Sequence, residues 1–176
     1  RLLNASDFGV SQLRPRVVMV AIKKHLMGDF RWPDVREAPR TVGQVLVDLM
    51  AARGWKKAPG WKMTANSVAP TIVGGSKKHG GPDLGPTRAK RAWAELGVDG
   101  MGIANDAPEP DFAGMPRLTT RMVARLQGIP DEWQFSGRKT AAYRQVGNAF
   151  PPPVAEAVAC EIIKVIAVRS TYQVVA

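Results

Sequence analysis

The chain has 176 residues, 45% of them hydrophobic, enough for a packed core in one ordinary domain or in a small domain plus part of another. Its 25 lysines and arginines against 15 carboxylates leave a formal charge of +10, which points to polyanionic partners, nucleic acid first. One cysteine excludes an intrachain disulfide framework and a cysteine-based zinc cluster and fits a reducing cytoplasm, and no apolar run approaches the ~20 residues of a membrane span.

The first stretch, NASDFGVSQLRPR, turns at Gly9 and then alternates Gln12, Arg14 and Arg16. Alternate residues of an extended segment share a face. The three form a polar, cationic row, a fork suited to a phosphate or a base edge, or else a solvated edge or structural ion pair. Residues 17–22, VVMVAI, are apolar, β-rich and bounded by Arg16 and Lys23, and predict a buried strand. From His25 to Pro39 the texture shifts to Trp, Pro and mixed charge, as at a boundary. Residues 41–54 space Val42, Val45, Leu46, Leu49 and Met50 as a helix, with Thr41 as N-cap and Gly54 as stop.

Residues 55–116 are rich in Gly and Pro. They predict a short strand at 70–73, the loop GGSKKHGG at 74–81, and a basic helix at 87–96. The loop combines backbone that can approach a ligand closely with the charge of Lys77, Lys78 and His79, and Arg88, Lys90 and Arg91 follow. It lacks the GxxxxGK[ST] order of a P-loop. Residues 118–130 read as a helix capped by Thr119 or Thr120 and ended by Gly128. In AYRQVGNAFPPPVA, Gly147 and Asn148 both tolerate left-handed backbone angles and predict a turn opening a helix. Free N–H groups there would bind an anion. The last helix has an apolar stripe through Val154, Val158, Ile162, Val165 and Ile166. Cys160 falls opposite it, between Glu156 and Lys164, without the base or positive field a nucleophile needs. His25 and His79 are too isolated for a metal pair or a triad, so no metal is expected.

Three stretches together resemble the last three motifs of the DNA cytosine-5 methyltransferases. LLNASDFGVSQLRPRVVMVAI is similar to the eighth, RLTTRMVARLQGIPDEW to the ninth and YRQVGNAFPPPVAEAV to the tenth, in the family's order. Ser11 stands where proline is usual, Thr120 and Met122 where proline and glutamate are, and Phe150 where a small aliphatic residue is. The resemblance implies an α/β fold. Residues 1–26 and 138–176 would be pieces of a Rossmann-like catalytic domain, and 27–137 a smaller mixed α+β target recognition domain. It also implies a bacterial or phage restriction-modification enzyme acting on double-stranded DNA in the cytoplasm.

In that family a cysteine thiolate adds to C6 of a flipped cytosine, a glutamate assists at N3, and C5 takes the methyl group of S-adenosylmethionine. The resemblance places Arg16 near the cytosine O2, with Arg14 and Gln12 supporting the pocket. It places Thr71 on a phosphate beside the flipped base, and Asn148 and Ala149 at the methionine end of the cofactor. Lys77, Lys78, His79, Arg88, Lys90 and Arg91 would contact DNA. The family's Pro-Cys, cofactor-loop and Glu-Asn-Val motifs are not in the chain. The expectation is a C-terminal part that transfers no methyl group alone and needs an N-terminal catalytic segment or subunit. The alternatives are a non-catalytic specificity subunit of a split enzyme and a tRNA cytosine-5 methyltransferase.

Overall fold

The computed structural model describes residues 1–34, 37–74 and 82–173, with side chains to residue 167. Its architecture mixes helices with a small sheet. Strand β1 (Leu2–Asn4) pairs antiparallel with β2 (Pro15–Val17), with Leu3 opposite Arg16 and Leu2 opposite Val17. The intervening chain makes a 3₁₀ turn at Ala5–Asp7 and a sharper one at Gly9.

One face of this ribbon is packed and the other is bare. Leu3, Ala5, Phe8 and Val10 form a small cluster with Val154, Ala157 and Val158. Leu2 and Val17, on the opposite face, are 64% and 80% exposed. This corrects the buried strand expected at 17–22. Only Val17 lies in a strand, and Met19 is as exposed as Val17. Val18 and Val20 pack against the small cluster, while Met19 and Ala21, which alternate with them, are exposed. An apolar run fixes extended backbone but not the number of faces that are covered.

After a short helix α1 (Lys24–Met27) comes α2 (Val42–Ala51). Thr41 starts α2 with a capping box: its hydroxyl accepts from Gln44 N at 3.3 Å, and its own N–H donates to Gln44 Oε1 at 2.9 Å. Helix α3 (Ala58–Thr64) was not expected in a Gly- and Pro-rich stretch. Pro59 sits in its first turn, where no N–H is needed. Trp61 then anchors α3 in the main core. Helix α4 (Thr87–Glu95) follows the prediction and buries Trp93.

The strand expected at 70–73 is absent. Residues 70–74 lie in neither helix nor strand, and a parallel bridge joins Gln12 to Ala69 just before them. Helix α5 (Thr120–Leu126) is capped by Thr119, whose hydroxyl accepts from Met122 N at 3.2 Å. Where the family pattern has glutamate, Met122 Sδ accepts the Thr119 N–H at 3.4 Å and closes the box. Gly128 then turns the chain at φ +75°, and a Cβ there would stand 2.8 Å from Pro153.

The reading of Gly147 and Asn148 as a turn that opens a helix is corrected. They are the last residues of α6 (Lys139–Asn148), and neither has a positive φ. The next helix, α7 (Pro152–Gln173), opens on prolines after three intervening residues. Helices α2 to α6 share the larger core, to which α6 contributes Tyr143 and Val146. No helix among the described residues is long and apolar enough to cross a membrane.

Candidate functional site

The alternation read at Gln12, Arg14 and Arg16 is present. Gln12 and Arg14 are 0% and 1% exposed and Arg16 is half-buried, while Leu13, Pro15 and Val17 face solvent. The two buried members touch each other, Arg14 Nη1 donating to Gln12 Oε1 at 3.4 Å. They hold backbone. Gln12 Oε1 accepts the Ile72 N–H at 2.7 Å, and Arg14 Nη1 donates to the Ile72 carbonyl. Side chains therefore serve both polar groups of Ile72, in place of a strand partner. Arg14 Nη2 donates to the carbonyls of Gly147 at 2.8 Å and Ala149 at 3.1 Å.

Burial, and then the neighbouring Arg16, push the Arg14 guanidinium down to about 10, with Tyr143 opposing them. It stays charged at neutral pH. A buried charge is costly unless satisfied, and the main-chain carbonyls around it supply that satisfaction. Arg14 Nε and Gln12 Nε2 are buried with no partner among the described residues.

Stretches far apart in sequence thus meet at one point. Residues 12–14, 71–74 and 147–149 converge on Arg14, and Gln127 Nε2 joins them by donating to the Val146 carbonyl. The approach is close enough to exclude side chains. A Cβ on Gly147 would stand 2.4 Å from Gly74 Cα, and one on Gly74 would stand 2.2 Å from Asn148 Oδ1. Glycine is needed at 147 for contact, not for a left-handed turn.

The remaining predicted residues lie around this hub. Arg16 donates to the Pro15 carbonyl at 2.8 Å. The Thr71 hydroxyl donates to the Leu13 carbonyl. Asn148 is exposed beside Gly74, and Ala149 is half-buried. Arg88 and Arg91 are exposed one turn apart on α4. Lys90 instead pairs with Asp83 at 2.7 Å, both half-buried. Lys77, Lys78 and His79 lie outside the described residues. No cluster of His, Cys, Asp or Glu able to hold a metal occurs among the described residues.

Sequence reasoning missed three residues of this arrangement: Gln127, Tyr143 and Asp83. Tyr143 is fully buried and its hydroxyl donates to the Asp83 carbonyl at 2.7 Å. The first two sit inside stretches already noted for their pattern, and Asp83 is the one acid between residues 74 and 91. Nothing in their spacing gives their partners.

A second cleft, of about 520 Å³, is lined by Arg53, Asp99, Glu109 and Arg117. Its arginines already pair with its acids, Arg53 with Glu109 at 2.6 Å and Arg117 with Asp99 at 2.7 Å.

Residues 1–164 match the family model described as C-5 cytosine-specific DNA methylase. The chain is 64% identical over 161 residues to Type II methyltransferase M.NaeI of Lentzea aerocolonigenes, covering 90% of this chain and 39% of that protein. It is 50% identical over 168 residues to Type II methyltransferase M.NgoMIV of Neisseria gonorrhoeae, covering 93% of this chain and 53% of that protein. The chain therefore spans between two fifths and about half the length of these relatives. With residues 1–164 matched, the chain whose first and last motif stretches meet at one buried arginine belongs to the C-5 cytosine-specific DNA methylase family.

Proposed function

We propose that this chain forms the target-recognition and pocket-supporting part of a Type II restriction-modification methyltransferase. That enzyme would transfer a methyl group from S-adenosylmethionine to C5 of a cytosine flipped out of duplex DNA. The family match across residues 1–164 carries the reading. The clamp of Gln12 and Arg14 on residues 72, 147 and 149 supports it, since it ties the cytosine side, the recognition side and the cofactor side into one unit.

In this reading Arg14 and Gln12 position backbone, and Arg16 is left to meet the flipped base. The residues present fit the methionine end of the cofactor. Arg14 turns the carbonyls on either side of Asn148 inward, and the exposed Asn148 amide offers a donor and an acceptor to an amino-acid headgroup. The cofactor would supply the electrophilic methyl group. Arg88 and Arg91 would face phosphates and the groove, with Lys77, Lys78 and His79 beside them in sequence. Thr71 would lie beside the flipped base, its proton already committed to Leu13.

The thiolate comes from elsewhere in the enzyme. Cys160 is half-buried in the middle of α7, with Glu156 and Lys164 one turn away on either side. The bare apolar face of the β1–β2 ribbon supports docking of an N-terminal catalytic segment. The test is transfer from tritiated S-adenosylmethionine to mixed-sequence duplex DNA. This chain alone should incorporate no label above background, and the complete enzyme should label cytosine C5. Label transferred by the chain alone and lost in Cys160→Ala would make Cys160 the nucleophile. Label transferred to tRNA by the complete enzyme, with none to DNA, would move the substrate to RNA.

A further inference from the structure

Between residues 74 and 91 the sequence sets Lys77, Lys78, Arg88, Lys90 and Arg91 around a single acid, Asp83. A carboxylate on a phosphate-binding face weakens binding by repulsion, so its presence there calls for another role. The geometry supplies one. Asp83 Oδ2 pairs with Lys90 Nζ on α4 at 2.7 Å. Asp83 Oδ1 accepts the Gly85 N–H at 3.0 Å, fixing the turn into α4. The Asp83 carbonyl accepts from the Tyr143 hydroxyl on α6 at 2.7 Å. One residue thus links the basic helix to α6.

Tyr143 is built for this. Its ring is fully buried in the main core. Burial, and then Asp83, push its phenol up, with Arg14 opposing, so the hydroxyl remains a donor through the working pH range. One turn further along α6, Gly147 lies against Gly74, and Arg14 holds the Gly147 carbonyl. Helix α6 therefore bears the Asn148 end and, through Tyr143 and Asp83, sets where Arg88 and Arg91 stand.

We propose that Asp83 and Tyr143 are positioning residues that hold helix α4 in register for DNA, at an electrostatic cost to DNA affinity. This rests on the methyltransferase reading above. It predicts a sign that simple electrostatics reverses. Asp83→Asn removes a negative charge from a basic face, so a carboxylate without a positioning role gives tighter DNA binding in the variant. A positioning carboxylate gives weaker binding.

The test uses the complete methyltransferase, with KM for duplex DNA, Kd for S-adenosylmethionine by calorimetry, and Tm. Asp83→Asn is expected to raise the DNA KM by about 3- to 10-fold, the range of one lost hydrogen-bonded contact, with the cofactor Kd unchanged. Tyr143→Phe, which keeps the ring, should move the DNA KM the same way. The double variant should be little worse than the worse single one, since both act through the same link. An unchanged or lower DNA KM in Asp83→Asn overturns the proposal. So does a rise in both DNA KM and cofactor Kd, which marks general loosening. If Tyr143→Phe fails to fold, the sign in Asp83→Asn decides alone. Failure of the wild-type enzyme to methylate DNA is a separate result and defeats the underlying reading instead.

Discussion

Arg14 and Arg16 stand two residues apart with the same side chain, yet burial gives them different work. Arg14 is enclosed and holds the carbonyls of Ile72, Gly147 and Ala149. Arg14→Ala strands buried acceptors, and urea unfolding should show a loss of about 3 kcal/mol, the range for several unsatisfied groups. Arg14→Lys should recover little, because a point charge cannot serve divergent carbonyls. Arg16 is half-buried and, among the described residues, bonded only locally, to Pro15, so Arg16→Ala should leave unfolding within about 1 kcal/mol of wild type. In the complete enzyme its single-turnover rate should fall more than its DNA affinity. Weaker DNA binding at an unchanged single-turnover rate would place Arg16 on the phosphate backbone instead. The alternation of these residues was legible because extended chain has a period of two. Their partners were not, since Ile72 and Gly147 lie 58 and 133 residues from Arg14.

Among the elements, those with strong end signals were legible. Thr41, Thr119 and Gly128 mark helix ends in sequence and mark them in the fold. Helix α3 was not legible in a stretch rich in Gly and Pro, although a proline in a first turn, as at Pro59, breaks nothing. The end of α6 was read in reverse because glycine serves two purposes, and sequence does not say which. At 147 it serves close approach, and that has a measurable sign. Gly→Ala inside a helix ordinarily stabilises by about 1 kcal/mol. A methyl group at 147 would meet Gly74 Cα at 2.4 Å and force the 72–74 segment away. Gly147→Ala should therefore destabilise by about 1–3 kcal/mol, the usual cost of overpacking, as read from the urea midpoint. A stabilised variant would show that the contact gives way without cost.

At the scale of the whole molecule, the β1–β2 ribbon leaves an apolar face uncovered among the described residues. Leu2, Leu13, Val17 and Met19 are each at least half exposed, on and beside a two-stranded ribbon that could pair further. Such a face promotes association. Sedimentation of this chain at rising concentration should show self-association, and Val17→Lys with Met19→Lys should reduce it without lowering the unfolding midpoint. Monomeric behaviour of the wild-type chain at all concentrations would mean that the face is inert. The paired anchorage on α6 has another consequence at this scale. Gly74 and Asp83 are both seated on one helix, one turn apart, at Gly147 and Tyr143. Their supports are separated by roughly 6 Å along the helix axis. Residues 74 and 83 are thus socketed side by side on α6, and the helix, rather than the sequence that joins them, sets the spacing of these two anchors.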